Sequence, residues 1–417
     1  MTTAWTAPWA NAATSAPGLP VLEWALLLAL AALAGQLLQR HAGLPKVVGY
    51  AAVGAVTGAL GLADAAWPLR GLGLFLLELG IAVVLFEAGA RLPLRWLRHN
   101  PMVLMQSLAE SVLTFAAAFA LLRWLGLDVK TVRALAVIAV AASPAVLMRV
   151  VADLRATGPV TDRAIALATL NTLYALTLGT ALLRSIDRAD ASLLASVASS
   201  AVVLGVSLLV GGWLMALLTA ALRVLNPTSQ DTAIVMLALI GASAAIAAPL
   251  GGSAPLAALL GGLLLKHIHA RPWVWPGQLG TAGSMLTILM FVLVSAMAAQ
   301  ADWTGAITWA ALALIVVRAG AKVLSLLATG FGSGMALRQS LWVGAALLPM
   351  SSVALLLTSQ FVVASHSVGS QVAAVALPVI LVTEVMGAVA VTWALRRAGE
   401  AGHADDRRAP TQEGSLP

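Results

Sequence analysis

The sequence predicts an all-α membrane protein with about thirteen transmembrane helices, arranged as two inverted six-helix repeats around a pair of crossed broken helices. The 417 residues are 60% hydrophobic and 10% charged, with a mean hydropathy of +0.95, so no water-soluble globule could enclose their apolar side chains. The apolar residues fall into runs of about 20, the length that crosses a bilayer. Two runs are interrupted at mid-span by a proline beside serines, at Pro144 and Pro349.

The length rule places the spans in chain order. They are 19–39, 46–62, 71–91, 101–125, 131–153, 159–184, 191–223, 229–250, 253–268, 278–300, 303–330, 335–362 and 371–397. The second and ninth are short and rich in glycine, so each is either a weak spanning helix or one packed tightly against its neighbours. The interrupted spans are the fifth and the twelfth, and an odd offset between them makes the two halves antiparallel.

This count divides the chain into five predicted parts. They are an extracytoplasmic tail (1–18), a first repeat (19–184), a linker helix (185–228), a second repeat (229–397) and a disordered cytoplasmic tail (398–417). With the N-terminus outside, inner loops and span ends hold fourteen of the 24 Lys and Arg residues and outer loops hold six. The positive-inside rule therefore predicts an external N-terminus and a cytoplasmic C-terminus.

Composition and missing motifs exclude several classes of function. The net charge of +7 comes from basic residues scattered singly between apolar runs, which argues against nucleic-acid binding. The chain has no cysteine, so thiol catalysis and thiolate metal sites are excluded. Phosphate-binding, dinucleotide, zinc-protease and nucleophile-elbow motifs are missing, so we expect no enzyme activity, no cofactor and no metal.

The paired breaks are the best candidate for a substrate site. An unwound membrane helix exposes backbone carbonyls near the bilayer midplane, where secondary transporters hold their substrates. Serine and threonine in membrane helices more often bond the backbone, so each hydroxyl alone has a structural alternative. The predicted site comprises the two prolines and the polar residues expected beside them: Ser143, Pro144, Asn171, Thr172, Pro349, Ser351 and Ser352.

Four short motifs carry a resemblance to a known family. They are Gly43–Tyr50, Glu78–Gly89, Ala142–Val146 and Gly344–Val353. In this order and spacing they resemble the monovalent cation/proton antiporter superfamily, in particular its Kef-type and sodium/hydrogen exchanger-like members. The resemblance extends over residues 20–397. It implies a homodimer in the bacterial inner membrane that exchanges Na⁺ or K⁺ against H⁺ by an elevator-like movement of a helix bundle.

The sixth span departs from the family pattern. Relatives carry an aspartate there that binds the cation or proton, whereas this chain reads Leu-Asn-Thr-Leu-Tyr over 170–174. Asn171 is kept, and Thr172 stands in place of the acid; a shift of one residue would put Leu173 there instead. Because neither register restores a carboxylate, an uncoupled ion or small-solute facilitator on the same fold is the alternative.

Proton coupling needs a group that takes either a proton or a cation, and a buried carboxylate is the usual choice. Glu110 in the fourth span and Glu384 in the thirteenth are the candidates, with a structurally satisfied acid as the alternative for each. Arg318 and Lys322 lie one turn apart on the eleventh span. The resemblance implies that one of them pairs with the sixth-span acid. Otherwise, Lys322 extends to the cytoplasmic face and Arg318 pairs with Glu384.

Overall fold

The computed structural model describes residues 18–61, 71–92, 94–186, 193–226, 229–268, 277–301, 305–350 and 352–402. These ranges form sixteen α-helices and one 3₁₀ turn, Phe331–Ser333. In chain order, the helices are α1 Gly18–Ala42, α2 Lys46–Ala59, α3 Gly71–Ala90, α4 Leu94–His99, α5 Pro101–Trp124, α6 Val129–Val140, α7 Pro144–Leu154, α8 Pro159–Ser185, α9 Leu193–Ala221, α10 Gln230–Ala247, α11 Ala254–Ile268, α12 Gly277–Ala299, α13 Gly305–Gly330, α14 Leu337–Ala346, α15 Ser352–Ala364 and α16 His366–Arg397.

Each predicted span coincides with one helix or with a pair of helices, and the short α4 is the only unforeseen helix in the described part. The fifth predicted span is α6 and α7, and the twelfth is α14 and α15. Eight helical segments of the described chain are long and apolar enough to cross a membrane, and four shorter apolar helices accompany them. The predicted class, an all-α membrane protein with two broken helices, is confirmed.

Local sequence explains where several helices begin. Prolines occupy the first position of α5, α7 and α8, where the missing N–H costs nothing. Asp128 caps α6 by accepting a hydrogen bond from the Lys130 backbone N–H at 2.9 Å. Ser143 caps α7 by accepting from the Val146 N–H at 3.3 Å. The first broken helix is therefore restarted by its own sequence, Ser143-Pro144.

The helices pack as two groups. The scaffold bundle comprises α1–α3 and α9–α12, and the crossover bundle comprises α5–α8 and α13–α16. In the scaffold, α3 and α11 approach so closely that a Cβ on Gly262 would strike the Phe86 carbonyl oxygen, and one on Gly89 would strike that of Leu259. The glycines of the short ninth span therefore serve tight packing, one of the two alternatives that the sequence left open.

Residues 398–402, which we call the C-terminal strap, connect the end of α16 to the start of α8. Both carboxylate oxygens of Glu400 lie at the start of α8, accepting from the Val160 and Thr161 N–H groups at 2.7 Å each. The Thr161 hydroxyl donates to the same carboxylate at 2.7 Å, and the Gly402 N–H donates to the Leu154 carbonyl at 3.0 Å. The predicted disordered tail therefore begins too early, because residues 398–402 are held; residues 403–417 lie outside the described ranges.

Candidate functional site

The two helix breaks meet inside the crossover bundle. Residues 141–143 separate α6 from α7, and residues 347–351 separate α14 from α15. The backbone N–H of Ser143 donates to the carbonyl oxygen of Pro349 at 3.0 Å. The two unwound segments are therefore joined by a direct hydrogen bond. Breaks that meet leave several helix-end carbonyls facing one small region, where their partial negative charges accumulate.

Arg318 of α13 donates hydrogen bonds to carbonyls at both breaks. Its side chain is 1% exposed and reaches both breaks with three nitrogens. Nε donates to Ala139 O at 2.8 Å, and Nη2 donates to Ala141 O at 2.7 Å. Nη1 donates to Leu348 O of the second break at 2.6 Å. The rigid guanidinium fork suits three divergent acceptors. The predicted alternative of an Arg318–Glu384 pair is wrong, because the guanidinium is occupied by backbone carbonyls.

One turn further along α13, Lys322 forms a buried ion pair with Glu110 of α5. The Lys322 Nζ and the Glu110 Oε1 are 2.5 Å apart, and both side chains are 0% exposed. Lys322 Nζ also donates to Val140 O at 3.3 Å, at the end of α6. The predicted alternative in which Lys322 extends to the cytoplasmic face is therefore wrong. The pair lies beside the first break, so two charged side chains are present in this neighbourhood.

Asn171 of α8 links the ion pair to the sixth span. Its Nδ2 donates to Glu110 Oε2 at 2.5 Å, and its Oδ1 accepts from the Ser107 and Ser111 hydroxyls at 3.2 and 3.1 Å. The Thr114 hydroxyl donates to Glu110 Oε1 at 3.0 Å. Both oxygens of Glu110 are thus hydrogen-bonded, as a buried carboxylate requires. A carboxylate of the fourth predicted span therefore contacts the sixth span at Asn171, the residue before Thr172.

Ser107, Ser111 and Thr114 are not among the predicted site residues. Together with Glu110, they follow the spacing i, i+3, i+4 and i+7, which places all four residues on one face of α5. Apolar residues fill most of the other positions of this helix. A polar stripe on a membrane helix that also carries an acid was therefore visible in the sequence and would have favoured an interior role for Glu110.

The other predicted hydroxyl residues of the site contact the backbone, lie at a helix start or fall outside the described residues. The Thr172 hydroxyl lies within hydrogen-bonding distance of Ala142 O at 3.0 Å and Ala168 O at 2.8 Å, so it binds the backbone of the first break. Ser352 is buried at the start of α15. Ser351 lies outside the described residues. Within the predicted polar set, Asn171 contacts a charged side chain, the Glu110 carboxylate.

Glu384 lies apart from the Glu110 site. It is 0% exposed on α16, where Pro349 packs against nearby Gly387, and its Oε2 accepts from the Ser295 hydroxyl of α12 at 2.7 Å. Its other oxygen, Oε1, is buried and has no hydrogen-bond partner among the described residues. Glu384 therefore links the two bundles through a single donor.

A cavity of about 320 Å³ separates the bundles beside α7. Polar groups on its wall include Arg149, Ser284 and Glu87. Arg149 Nη2 donates to the Tyr50 hydroxyl at 2.9 Å, and its Nε lies 3.6 Å from Asp153 Oδ1. Water-sized space therefore reaches the first half of the crossover bundle between α7 and the scaffold helices.

Comparison with known proteins addresses both fold and family. The family described as "Sodium/hydrogen exchanger, transmembrane" matches residues 26–397. Two structures of the sodium proton antiporter MjNhaP1 from Methanocaldococcus jannaschii, one at pH 8 and one an electron-microscopy map, match with a TM-score of 0.70 each. They are 15% and 14% identical to this chain, with 92% of this chain and 99% and 98% of theirs covered, a likeness that shows the fold. No curated protein sequence matches the chain.

Proposed function

The chain belongs to the sodium/hydrogen exchanger transmembrane family, and on that premise we propose that it is a secondary transporter exchanging a monovalent cation, Na⁺ or K⁺, for H⁺. The observation that carries the proposal is the fully buried Glu110–Lys322 pair beside the meeting helix breaks. A buried acid and base in a membrane bundle are costly to keep, and they typically mark ion or proton pathways.

The pair can exchange one charge for another without changing its own net charge. In the described state, the Glu110 carboxylate is balanced by the Lys322 ammonium. When a cation M⁺ takes the place of the ammonium beside the carboxylate, Lys322 gives up a proton and remains as a neutral amine. M⁺ enters and H⁺ leaves, so the buried charge stays balanced at each step. Reversal of this step returns the proton to Lys322 and releases the cation.

Oxygen ligands for the cation surround Glu110. Besides its carboxylate, the Thr114 and Ser111 hydroxyls and the Asn171 Oδ1 lie in the same cluster. Hard cations prefer carboxylate, carbonyl and hydroxyl oxygens of this kind. Arg318 holds the backbone carbonyls of both breaks, which keeps those carbonyls from competing with Glu110 for the ammonium of Lys322.

Alternating access requires the site to open first to one side of the membrane and then to the other. We assign this movement to a displacement of the crossover bundle against the scaffold bundle, because the site is built from crossover helices alone. In the proposed arrangement, the protein is a homodimer in the bacterial inner membrane, with its N-terminus outside and its C-terminus in the cytoplasm. The family resemblance and the positive-inside charge bias support these assignments.

An uncoupled facilitator on the same fold is the competing function. Its main support is the sixth-span departure, in which Asn171 is kept and Thr172 stands in place of the expected acid. The contact between Asn171 and Glu110 weakens that argument, since a carboxylate from α5 contacts the sixth span at the residue next to Thr172. Coupled exchange is therefore the better-supported function.

Reconstitution separates the two functions. In proteoliposomes with an internal pH-sensing dye, an imposed Na⁺ or K⁺ gradient is expected to drive proton flux. Glu110→Gln is expected to abolish that flux, because an amide cannot balance Lys322 or bind the cation as a carboxylate does. Glu87→Gln, which alters an acid paired with Arg91 at the end of α3, is the matched control. Cation flux without proton movement in the wild type would support the facilitator and contradict the proposal.

A further inference from the structure

A second buried acid, Glu384, lies at the surface where the two bundles meet. It belongs to α16 of the crossover bundle, and its one hydrogen-bond donor among the described residues, Ser295, belongs to α12 of the scaffold bundle. Both side chains are 0% exposed. A displacement of one bundle against the other would break this 2.7 Å hydrogen bond and bring the acid into a different environment.

The number of donors argues that the Glu384 carboxyl is neutral in this arrangement. An ionised carboxylate can accept about four hydrogen bonds, and when buried it needs several donors or a cation. Glu384 has one hydroxyl donor, and its Oε1 has no partner among the described residues. A protonated acid tolerates this environment far better, because burying a neutral group that lacks one partner costs much less than burying an uncompensated charge.

Among the described residues, no cation on the neighbouring helices forms an ion pair with Glu384. Helices α2, α6, α7, α12, α13, α14 and α15 pack against α16, and α12 and α15 carry no ionisable residue. Arg318 and Lys322 of α13 are taken by carbonyls and by Glu110. The other ionisable residues of these helices, and of α16 itself, are Lys46, Tyr50, Lys130, Arg133, Arg149, Asp153, Arg338, His366, Arg396 and Arg397.

These remaining groups have other recorded partners or are exposed. Lys46, Tyr50, Arg149 and Asp153 contact one another between α2 and α7. Lys130 donates to Ile186 O at 2.9 Å, and Arg396 donates to Gly43 O at 3.1 Å. The four others are exposed: Arg133, Arg338, His366 and Arg397.

We infer that Glu384 is a second proton-binding site of this protein, protonated while Ser295 bridges the two bundles and deprotonated when they move apart. This inference deepens the proposed function by adding a proton site at the moving surface, distinct from the exchange pair at Glu110 and Lys322. High pH then favours release of the crossover bundle, because loss of the Glu384 proton leaves a charge that the closed interface cannot hold.

Infrared spectroscopy tests the protonation directly. A protonated carboxylic acid has a C=O stretching band separate from those of carboxylates and amides. In the full chain in lipid at neutral pH, Glu384→Gln is expected to remove one such band, whereas Glu110→Gln is expected to keep it. Ser295→Ala, which leaves Glu384 in place, is expected to shift the band to higher frequency by removing its hydrogen bond. Identical spectra for the wild type and Glu384→Gln would overturn the inference.

Transport at several pH values tests the release step. The exchange rate of the wild type is expected to rise with pH as Glu384 loses its proton, and Glu384→Gln is expected to show a smaller rise, because the amide cannot ionise and only the proton of Lys322 still responds to pH. A wild-type pH profile in Glu384→Gln would overturn the release of the proton. The two proposals fail separately: retained exchange in Glu110→Gln contradicts the proposed function, whereas an unchanged band in Glu384→Gln contradicts the second proton site.

Discussion

Two carboxyl groups, Glu110 and Glu384, are equally inaccessible to solvent but differ in their partners. Glu110 contacts Lys322 and accepts hydrogen bonds from Asn171 and Thr114, all within the crossover bundle. Glu384 has one recorded donor, Ser295, which lies across the boundary between the bundles. Burial alone therefore does not decide whether an acid is charged; the donors supplied by its neighbours do. The surroundings of Glu110 suit an ionised carboxylate, and those of Glu384 suit a protonated carboxyl group.

The largest expected effect comes from removing the cation beside Glu110. Lys322→Met leaves the Glu110 carboxyl buried without its cation, so it either keeps an uncompensated charge or takes up a proton, and we expect a loss of about 3–5 kcal/mol in the free energy of unfolding, together with loss of exchange. The double variant Glu110→Gln with Lys322→Met is expected to recover most of the stability and none of the transport. Denaturant titration followed by tryptophan fluorescence measures the stability. Wild-type stability in Lys322→Met would contradict the assignment of a charged pair.

A matched pair of hydroxyl deletions sharpens the comparison. Thr114→Val removes a donor to Glu110, and Ser295→Ala removes the donor to Glu384. A hydrogen bond to a charged group contributes about 1.5–3 kcal/mol and one to a neutral group about 0.5–1.5 kcal/mol. We therefore expect Thr114→Val to lower the free energy of unfolding more than Ser295→Ala does, in the same denaturant titration at neutral pH. Equal losses would argue that the two acids share one charge state.

The smallest effect is expected at an acid that water can reach. Glu87 lies 2.7 Å from Arg91, and their side chains are 34% and 40% exposed. Exposed ion pairs contribute about 0–1 kcal/mol, so Glu87→Gln is expected to change the free energy of unfolding by less than that and to retain cation-driven proton flux. Loss of flux in this variant would show that acids outside the buried pair also take part in exchange.

The helices could be predicted because they depend on local sequence. The site could be predicted only in part, because it depends on contacts between residues far apart in the chain. The spans and breaks depend on apolar run length and on Pro144 and Pro349, which are visible in sequence. The Glu110–Lys322 contact joins residues 212 positions apart, and nothing in either helix alone specifies that the two faces meet. For the same reason, the sequence could not decide between interior and surface positions for Lys322.

The role of Arg318 illustrates a further limit. An arginine in a membrane span needs acceptors, and Glu384 was the visible candidate. The actual acceptors are the carbonyls of Ala139, Ala141 and Leu348, which every residue carries and no sequence pattern marks. They became available because the two breaks meet. The polar stripe on α5, by contrast, could have been recognised from spacing alone.

The contact of Glu400 in the C-terminal strap determines when the N-terminus of α8 can acquire its cap during synthesis. Glu400 caps the first turn of α8 across 240 residues of chain, so it is synthesised long after the helix that it caps. Helix α8, which carries Asn171, is therefore synthesised long before its cap. Until Glu400 has been added, the Val160 and Thr161 N–H groups lack this carboxylate as an acceptor. The described contacts at the start of α8, in the first half of the molecule, can therefore form only after translation has reached Glu400.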